Sequence, residues 1–575
     1  MSSTKTCLVT VPIPEVRENN CFVLGEWCKL FKDRESWEKI SHSMHEYHWE
    51  DPDKIEKDHK FLNDLYEDLL NQLYLNLNKF HKVSFSKRFW RIFIGPWLLT
   101  FVSTIWDRWE VVRTFFEQNN PQDFYFLKLN KNKLLPPNNF EDSISQIGND
   151  YWNEYIFSEI LQSYEIDYKV IDYLGHSDDR NKKNKLPQQS LYKKIFKYMS
   201  SINKHRELTI FQGYFPRLFS IILAIFLQKN TELSIFFKEM PNNNVVAFDR
   251  NKLNGIELTQ SSEFEKFLNK QILNFIPLSY IESFAELKNK AIKIPASKSI
   301  LTANAHFGNE LFKIWAAINC ESGSNLIISS HGGAIYPKFS VFDHQEAIAD
   351  KRIIWGKQWM SQQITLPPNK LEFKVKKNNR NGAVSVIDND SLRYSYRCMS
   401  ASQGPLVLKS FKMTKSFLDQ LEDLHINFRI KPKYSGHNET ADRYEYFYGK
   451  NRLYKSKTSI KEIIKKSKLL VCTYPQTAYA ECMYSGAPTL LVYDSDIWQT
   501  QSIYKELLVS LEKNKMLFTN EEEAVNHIKS IYDDPFSWWE KAEIVKVRKE
   551  FMDFCISNDK SKLSEWLQFL KSLSR

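Results

Sequence analysis

Glycine is scarce: 16 residues in 575, beside 20 prolines and eight cysteines. The cysteines (7, 21, 28, 320, 398, 472, 482 and 555) form no CxxC and no zinc-ligand spacing, which argues against a zinc module or disulfide framework. Several lie within apolar runs and read as reduced core residues of a cytoplasmic protein. Long apolar runs are missing too. The N-terminus MSSTKTCLVTVPIPEVREN has no signal-peptide core, and the longest apolar patch, Ile92 to Trp106, contains Gly95 and Pro96 and is too short to span a bilayer. A formal charge of +10 is spread without a basic stripe, so nucleic acid is not expected as a partner.

The chain is too long for one core. A hydrophobic content of 42% with 14% aromatics is globular, and the aromatics suit large cores or a cleft for sugars. The opening holds two strand-like runs, Cys7 to Val11 and Cys21 to Gly25. A helical region is predicted from about Lys54 to Phe116, where Phe61, Leu62, Leu65, Leu69, Leu70 and Leu73 recur at helix spacing. A polar surface loop is expected over 178–189. From Ser299 strands alternate with helices: strands at 299–303, 326–329 and 352–355, then 383–387, 426–430, 468–471 and 489–493, with helices between them. A Pro-, Lys- and Asn-rich stretch at 367–380 divides the series. The predicted fold is α/β: two Rossmann-like units, 1–366 with helical insertions and 367–575 ending in helices, facing a cleft.

Two stretches carry candidate chemistry. In the second unit, strand 468–471 leads through Cys472 into Thr473-Tyr474-Pro475-Gln476-Thr477 and opens a helix carrying Glu481, followed by Gly486-Ala487-Pro488. A helix N-terminus offers free amides and a positive dipole end to a phosphate, with Thr473 and Thr477 beside it and Glu481 in reach of a ribose. Simple capping and packing by the two threonines is the alternative. Upstream, Arg429 and Lys431 alternate on a strand and share one face, suited to an anion or to solvent. In the first unit, strand 326–329 delivers His331-Gly332-Gly333 to a loop. Glycine allows close approach or positive φ, and the imidazole is a candidate acid or base. Glu346 is its candidate partner, with Asn304 and Asp350 on the substrate side. Metal binding through His331, Asp343 and His344 matches no standard pattern, and a structural turn is a further alternative. No DxD-type aspartate pair stands convincingly after an apolar strand. Asp388-Asn389-Asp390 comes nearest, so neither metal nor cofactor is expected.

The block Val471 to Thr489 resembles the nucleotide-sugar site of GT-B-type glycosyltransferases. Thr302-Ala303-Asn304, Phe312-Lys313-Ile314-Trp315-Ala316-Ala317, His331-Gly332-Gly333, Glu346, Ala349-Asp350 and Trp355-Gly356 together resemble a family of transferases encoded in bacterial O-antigen and surface-polysaccharide loci. Leu24 to Cys28, Trp90 to Trp97, Asn153-Glu154 and Trp538-Trp539 agree. Ser330, Ala334 and Lys357 depart from its pattern. The resemblance implies a transferase of surface-glycan assembly. The favoured expectation is a glycosyltransferase that moves a sugar from a nucleotide-activated donor, CMP-linked ulosonic acids among the donors it admits, to a glycan or lipid-linked acceptor, without a metal and with peripheral contact at the inner membrane. A nucleotide-sugar-modifying enzyme such as an epimerase, another group transferase, or a non-catalytic assembly subunit would fit the same scaffold.

Overall fold

The computed structural model describes residues 6–12, 20–119, 124–129, 134–171, 205–216, 219–220, 222–223, 231–233, 250–256, 258–340, 343–369, 379–556 and 562–573. The loop expected over 178–189 and the middle of the 367–380 stretch lie outside these residues.

Alternation of buried strands with helices produces three parallel sheets. The first contains β1 (Thr6–Val9), β2 (Cys21–Val23), β3 (His42–Met44), β4 (Phe124–Leu129) and β5 (Asp167–Ile171), in the order β3-β2-β1-β4-β5. The second contains β6 (His205–Phe211), β7 (Thr231–Leu233), β8 (Ala296–Thr302), β9 (Asn325–Ser329), β10 (Lys351–Ile354) and β11 (Gln363–Thr365), in the order β11-β10-β9-β8-β6-β7. The third contains β12 (Ala383–Ile387), β13 (Phe428–Lys431), β14 (Ser467–Cys472), β15 (Thr489–Val492) and β16 (Leu517–Phe518), in the order β13-β12-β14-β15-β16. The third sheet is the second unit read from the sequence, whereas the residues read as a single first unit, 1–366, form two sheets, the second of them with β6, β7 and β11 besides the strands expected there. The opening strands, read there without partners, join three others in a sheet of their own.

Each order reverses once. In doubly wound sheets the reversal leaves a crevice beyond the carboxyl ends of two neighbouring strands, because their connections depart to opposite faces. Here the reversals fall between β6 and β8 and between β12 and β14 in the second and third sheets. Those two points position the site.

The predicted helical region is two helices, Pro52–His81 and Lys87–Gln118. Lys82, at φ +53, ends the first, and the Ser86 side chain caps the second by accepting from the Phe89 amide. Helix Lys87–Gln118 is, among the described residues, the one long and apolar enough to cross a membrane, yet 83% of its apolar window is buried within the protein. Helix Glu310–Glu321 lies against it, covering the second sheet on the face of Ile300, Leu326 and Ile328. On the other face Leu301, Ile327 and Ile353 pack with Trp566 and Leu570 of helix Lys562–Leu573. Successive strand residues thus serve opposite layers, and the chain's last helix returns to the second sheet.

Candidate active site at two facing sheet edges

The loop that leaves β9 meets the helix that follows β14. The Gly333 amide donates to Thr477 Oγ1 at 2.9 Å, joining residues 144 apart in sequence. The two glycines serve different ends. A Cβ on Gly332 would stand 2.3 Å from Thr477 Oγ1, so this position is glycine for close approach. Gly333 has φ +90, a conformation that a Cβ disfavours. Beyond them the backbone pairs with the loop after β15: Pro337 bridges Thr500, the Lys338 amide donates to Gln499 O at 2.9 Å, and the Gln501 amide donates to Tyr336 O at 3.1 Å. The carboxyl edges of the second and third sheets therefore face each other, joined by these contacts.

On the second sheet's side, His331 is half-buried, with Nδ1 3.0 Å from Ala303 O. A carbonyl oxygen only accepts, so Nδ1 carries hydrogen and, in the neutral ring, Nε2 holds the lone pair. Ala303 and Asn304 follow β8, Asn304 opening the short helix Ala305–Gly308. Gln212, Gly213 and Tyr214 follow β6, and the Tyr214 ring stacks on His331 at 5.6 Å and 24°. This is the crevice of the β6/β8 reversal.

On the third sheet's side, helix Thr477–Ser485 begins with no side-chain cap from Gln476. Its first-turn amides and dipole end are thus presented beside Gly332 and Gly333. Glu481 lies half-buried one turn along. Thr473 is committed elsewhere: its hydroxyl donates to Asp388 Oδ1 at 2.6 Å. Tyr444 Oη donates to Asp388 Oδ2 at 2.5 Å, and burial raises the Asp388 pKa. Asp390 accepts from Ser435 and from Asn438 Nδ2. The Asp388-Asn389-Asp390 run thus closes the β12/β14 reversal with hydrogen bonds.

Other expected residues lie apart from this junction. Glu346 accepts from Gln363 at 3.1 Å and Gln362 at 3.3 Å and stands 3.5 Å from Arg352, its pKa raised by burial. It lines a cavity of about 20 Å³ with Tyr336, Asp343, Trp359 and Gln501, room for about one water. Tyr336 links that cavity to Ser330 at 2.7 Å, next to His331.

Asp350 requires a correction as a substrate contact. It accepts from the Leu326 amide and pairs with Arg88 at 2.6 Å. That is the amino end of β9, about 13 Å of strand from the edge bearing His331. Arg429 and Lys431 are corrected likewise. They do share a face of β13, but β13 is an edge strand. Arg429 donates to Leu453 O and stacks on Tyr454, while Lys431 donates to Lys455 O and Ser456 O. An open groove of about 520 Å³ lined by His425, Arg429, Tyr448 and Arg452 lies at the amino end of the same strand.

His344 is buried against Gly95 of helix Lys87–Gln118, and burial lowers its pKa to about 3. Asp343 lies 3.8 Å from His59. Among the described residues no three His, Cys, Asp or Glu side chains gather as a metal site. Tyr214 escaped the sequence reading, its one signal being a turn residue just beyond a strand end.

Two doubly wound parallel sheets facing across their carboxyl edges, with an uncapped helix at the junction, form an architecture of GT-B type. The chain belongs to the LIC12162 family of transferases, whose sequence profile matches residues 6–570. No curated protein sequence matches it. Solved structures similar to it include a Staphylococcus aureus TarM mutant in complex with Fondaparinux, alpha-GlcNAc-glycerol and UDP, at 13% identity and TM-score 0.31, covering 48% of this chain and 55% of that one. An S. aureus MnaA–UDP co-structure aligns at 11% identity and TM-score 0.35, over 63% of this chain and 94% of that one. A Rickettsia africae glycosyltransferase aligns at 13% identity and TM-score 0.32, over 54% and 88%.

Proposed function

We propose that this transferase moves a sugar from a nucleotide-activated donor to a glycan acceptor in bacterial surface-polysaccharide assembly. Residues 367–575 hold the donor and residues 1–366 the acceptor. One observation carries the reading: the Gly332-Gly333 to Thr477 junction sets a histidine at one sheet reversal beside an uncapped helix at the edge of the other. The donor phosphate sits at the amides of Thr477 and its neighbours, with Glu481 toward the ribose. His331 Nε2 takes the acceptor hydroxyl proton as the new C–O bond forms. The bond from sugar to phosphate breaks, and its electron pair leaves on the nucleotide, where the helix dipole stabilises the charge.

The test is a thermal-shift screen against UDP, GDP, dTDP, CDP and CMP, since a ligand that binds the native state raises its melting temperature. One nucleotide should stabilise the protein, and Thr477→Trp should abolish that shift. His331→Ala should keep the shift and lose about 10²–10⁴ in turnover. The absence of any nucleotide shift in the natural protein, or full turnover by His331→Ala, overturns the reading.

A further inference from the structure

We propose that Tyr214 is the platform on which a sugar ring of the acceptor lies beside His331, a role that rests on the glycosyl-transfer reading above. β6 ends at Phe211, and the chain then turns through Gln212 at φ +51 and Tyr214 at φ +56, on either side of Gly213. A bulky aromatic in the left-handed region is strained, and glycine or asparagine would sit there at ease. Neighbours hold the turn in place: the Ala303 amide donates to Gln212 O at 3.1 Å and Asn369 Nδ2 donates to Gly213 O at 2.6 Å.

Core packing does not explain the choice of tyrosine, because Tyr214 remains 42% exposed. The ring stacks on the imidazole of His331 and faces solvent over much of its surface. The two rings stack, centroids 5.6 Å apart and 24° between their planes, at the β6/β8 reversal, where such folds take their ligands, and the uncovered part of the phenol ring stays open. An exposed aromatic face beside a histidine suits a partner with one apolar and one hydroxylated aspect. A pyranose is such a partner: its C–H face covers the phenol ring, and a hydroxyl at its rim turns toward the imidazole. The acceptor class is therefore a saccharide engaged by its ring, rather than a bare alcohol or a phosphate head group.

The probe is a set of methyl glycosides (glucoside, galactoside, mannoside and N-acetylglucosaminide) at up to 100 mM. The readout is carbethoxylation of His331 by diethyl pyrocarbonate, resolved by peptide mass spectrometry. At least one glycoside should slow labelling of His331 several-fold in the natural protein and in Tyr214→Phe, but not in Tyr214→Gly. Tyr214→Gly should melt no lower than the natural protein, because glycine relieves the turn, and should keep any nucleotide-induced shift. A lowered melting temperature in Tyr214→Gly would make the ring a packing element and overturn the proposal. Protection that survives Tyr214→Gly, or protection by no glycoside at all, overturns it equally. If glycosides protect in a Tyr214-dependent way while no nucleotide shifts the natural protein, the sugar platform stands and the donor reading falls.

Discussion

Replacing Gly332 by alanine tests the junction by a single atom. Its Cβ would lie 2.3 Å from Thr477 Oγ1, but 3.5 Å from Thr477 Cβ and 3.6 Å from Cγ2. Gly332 lies outside the left-handed region, so its backbone accepts alanine without strain. A carbon–oxygen contact settles near 3.5 Å, so the two loops must separate by about 1 Å. That movement adds about 1–3 kcal/mol of overpacking and loses the Gly333 bond to Thr477, about 1 kcal/mol. Thr477→Ala removes Oγ1 and leaves Cβ at an ordinary distance. In that background Gly332→Ala should cost under about 0.5 kcal/mol, a coupling of about 2–4 kcal/mol. For 575 residues at about 2.1 cal/mol/K each, 1 kcal/mol corresponds to somewhat under 1 °C. Calorimetry should therefore record a drop of about 2–3 °C for Gly332→Ala alone. The same change on top of Thr477→Ala should leave the midpoint within a few tenths of a degree. Equal drops in both backgrounds would refute the reasoning.

Burial pushes the Glu154 carboxyl from 4.5 up to about 8. The native state keeps a proton that the unfolded chain releases, so this stabilisation is complete below about pH 4.5 and falls by about 1.4 kcal/mol per pH unit as pH rises toward 8. Glu154→Gln should remove the slope, so its stability relative to the natural protein should improve from pH 5 to 8 in parallel melting series. A constant difference would count against a neutral buried acid. Lys313 is fully buried, 3.0 Å from Glu310, so Glu310→Ala strands an ammonium and should destabilise by about 3–5 kcal/mol. Lys313→Met in the same chain should recover most of that loss in denaturant titration, and a harmless single variant would contradict the pairing.

The middle strands of the second and third sheets were legible because they are buried and read as apolar runs, as in Leu326 to Ser329 and Leu469 to Cys472, whereas β6, β7, β11 and β16 were not read. In the first sheet β1 and β2 were read as well, but β3 is three residues with exposed positions and β5 is exposed over most of its length. Sequence periodicity registers burial, and these strands have little. The Phe312 to Ala317 and Trp355-Gly356 motifs prove architectural. Lys313 closes a buried ion pair, and a Cβ on Gly356 would fall 2.2 Å from Phe554 O at the returning C-terminal helices.

The site divides along the same line. His331 and Thr477 could be singled out by where they fall on strand ends and helix starts, which are local properties. Their meeting could not, since sequence separation says nothing about which sheet edge faces which. Arg429 and Lys431 show the limit most clearly. Alternation did place them on one face of β13, where they donate to carbonyls of the 453–456 segment, apart from the Gly332-Gly333 to Thr477 junction. For a cation on a strand, the periodicity gives the face, and the neighbouring loop decides the ligand. Tyr214 is the reverse case. Nothing in its residue type marks it, and its placement comes from a left-handed turn that only the packed β6/β8 crevice enforces. A residue held in a strained turn is visible only where the strain is held, and here that is the sheet reversal beside the strand end that carries His331.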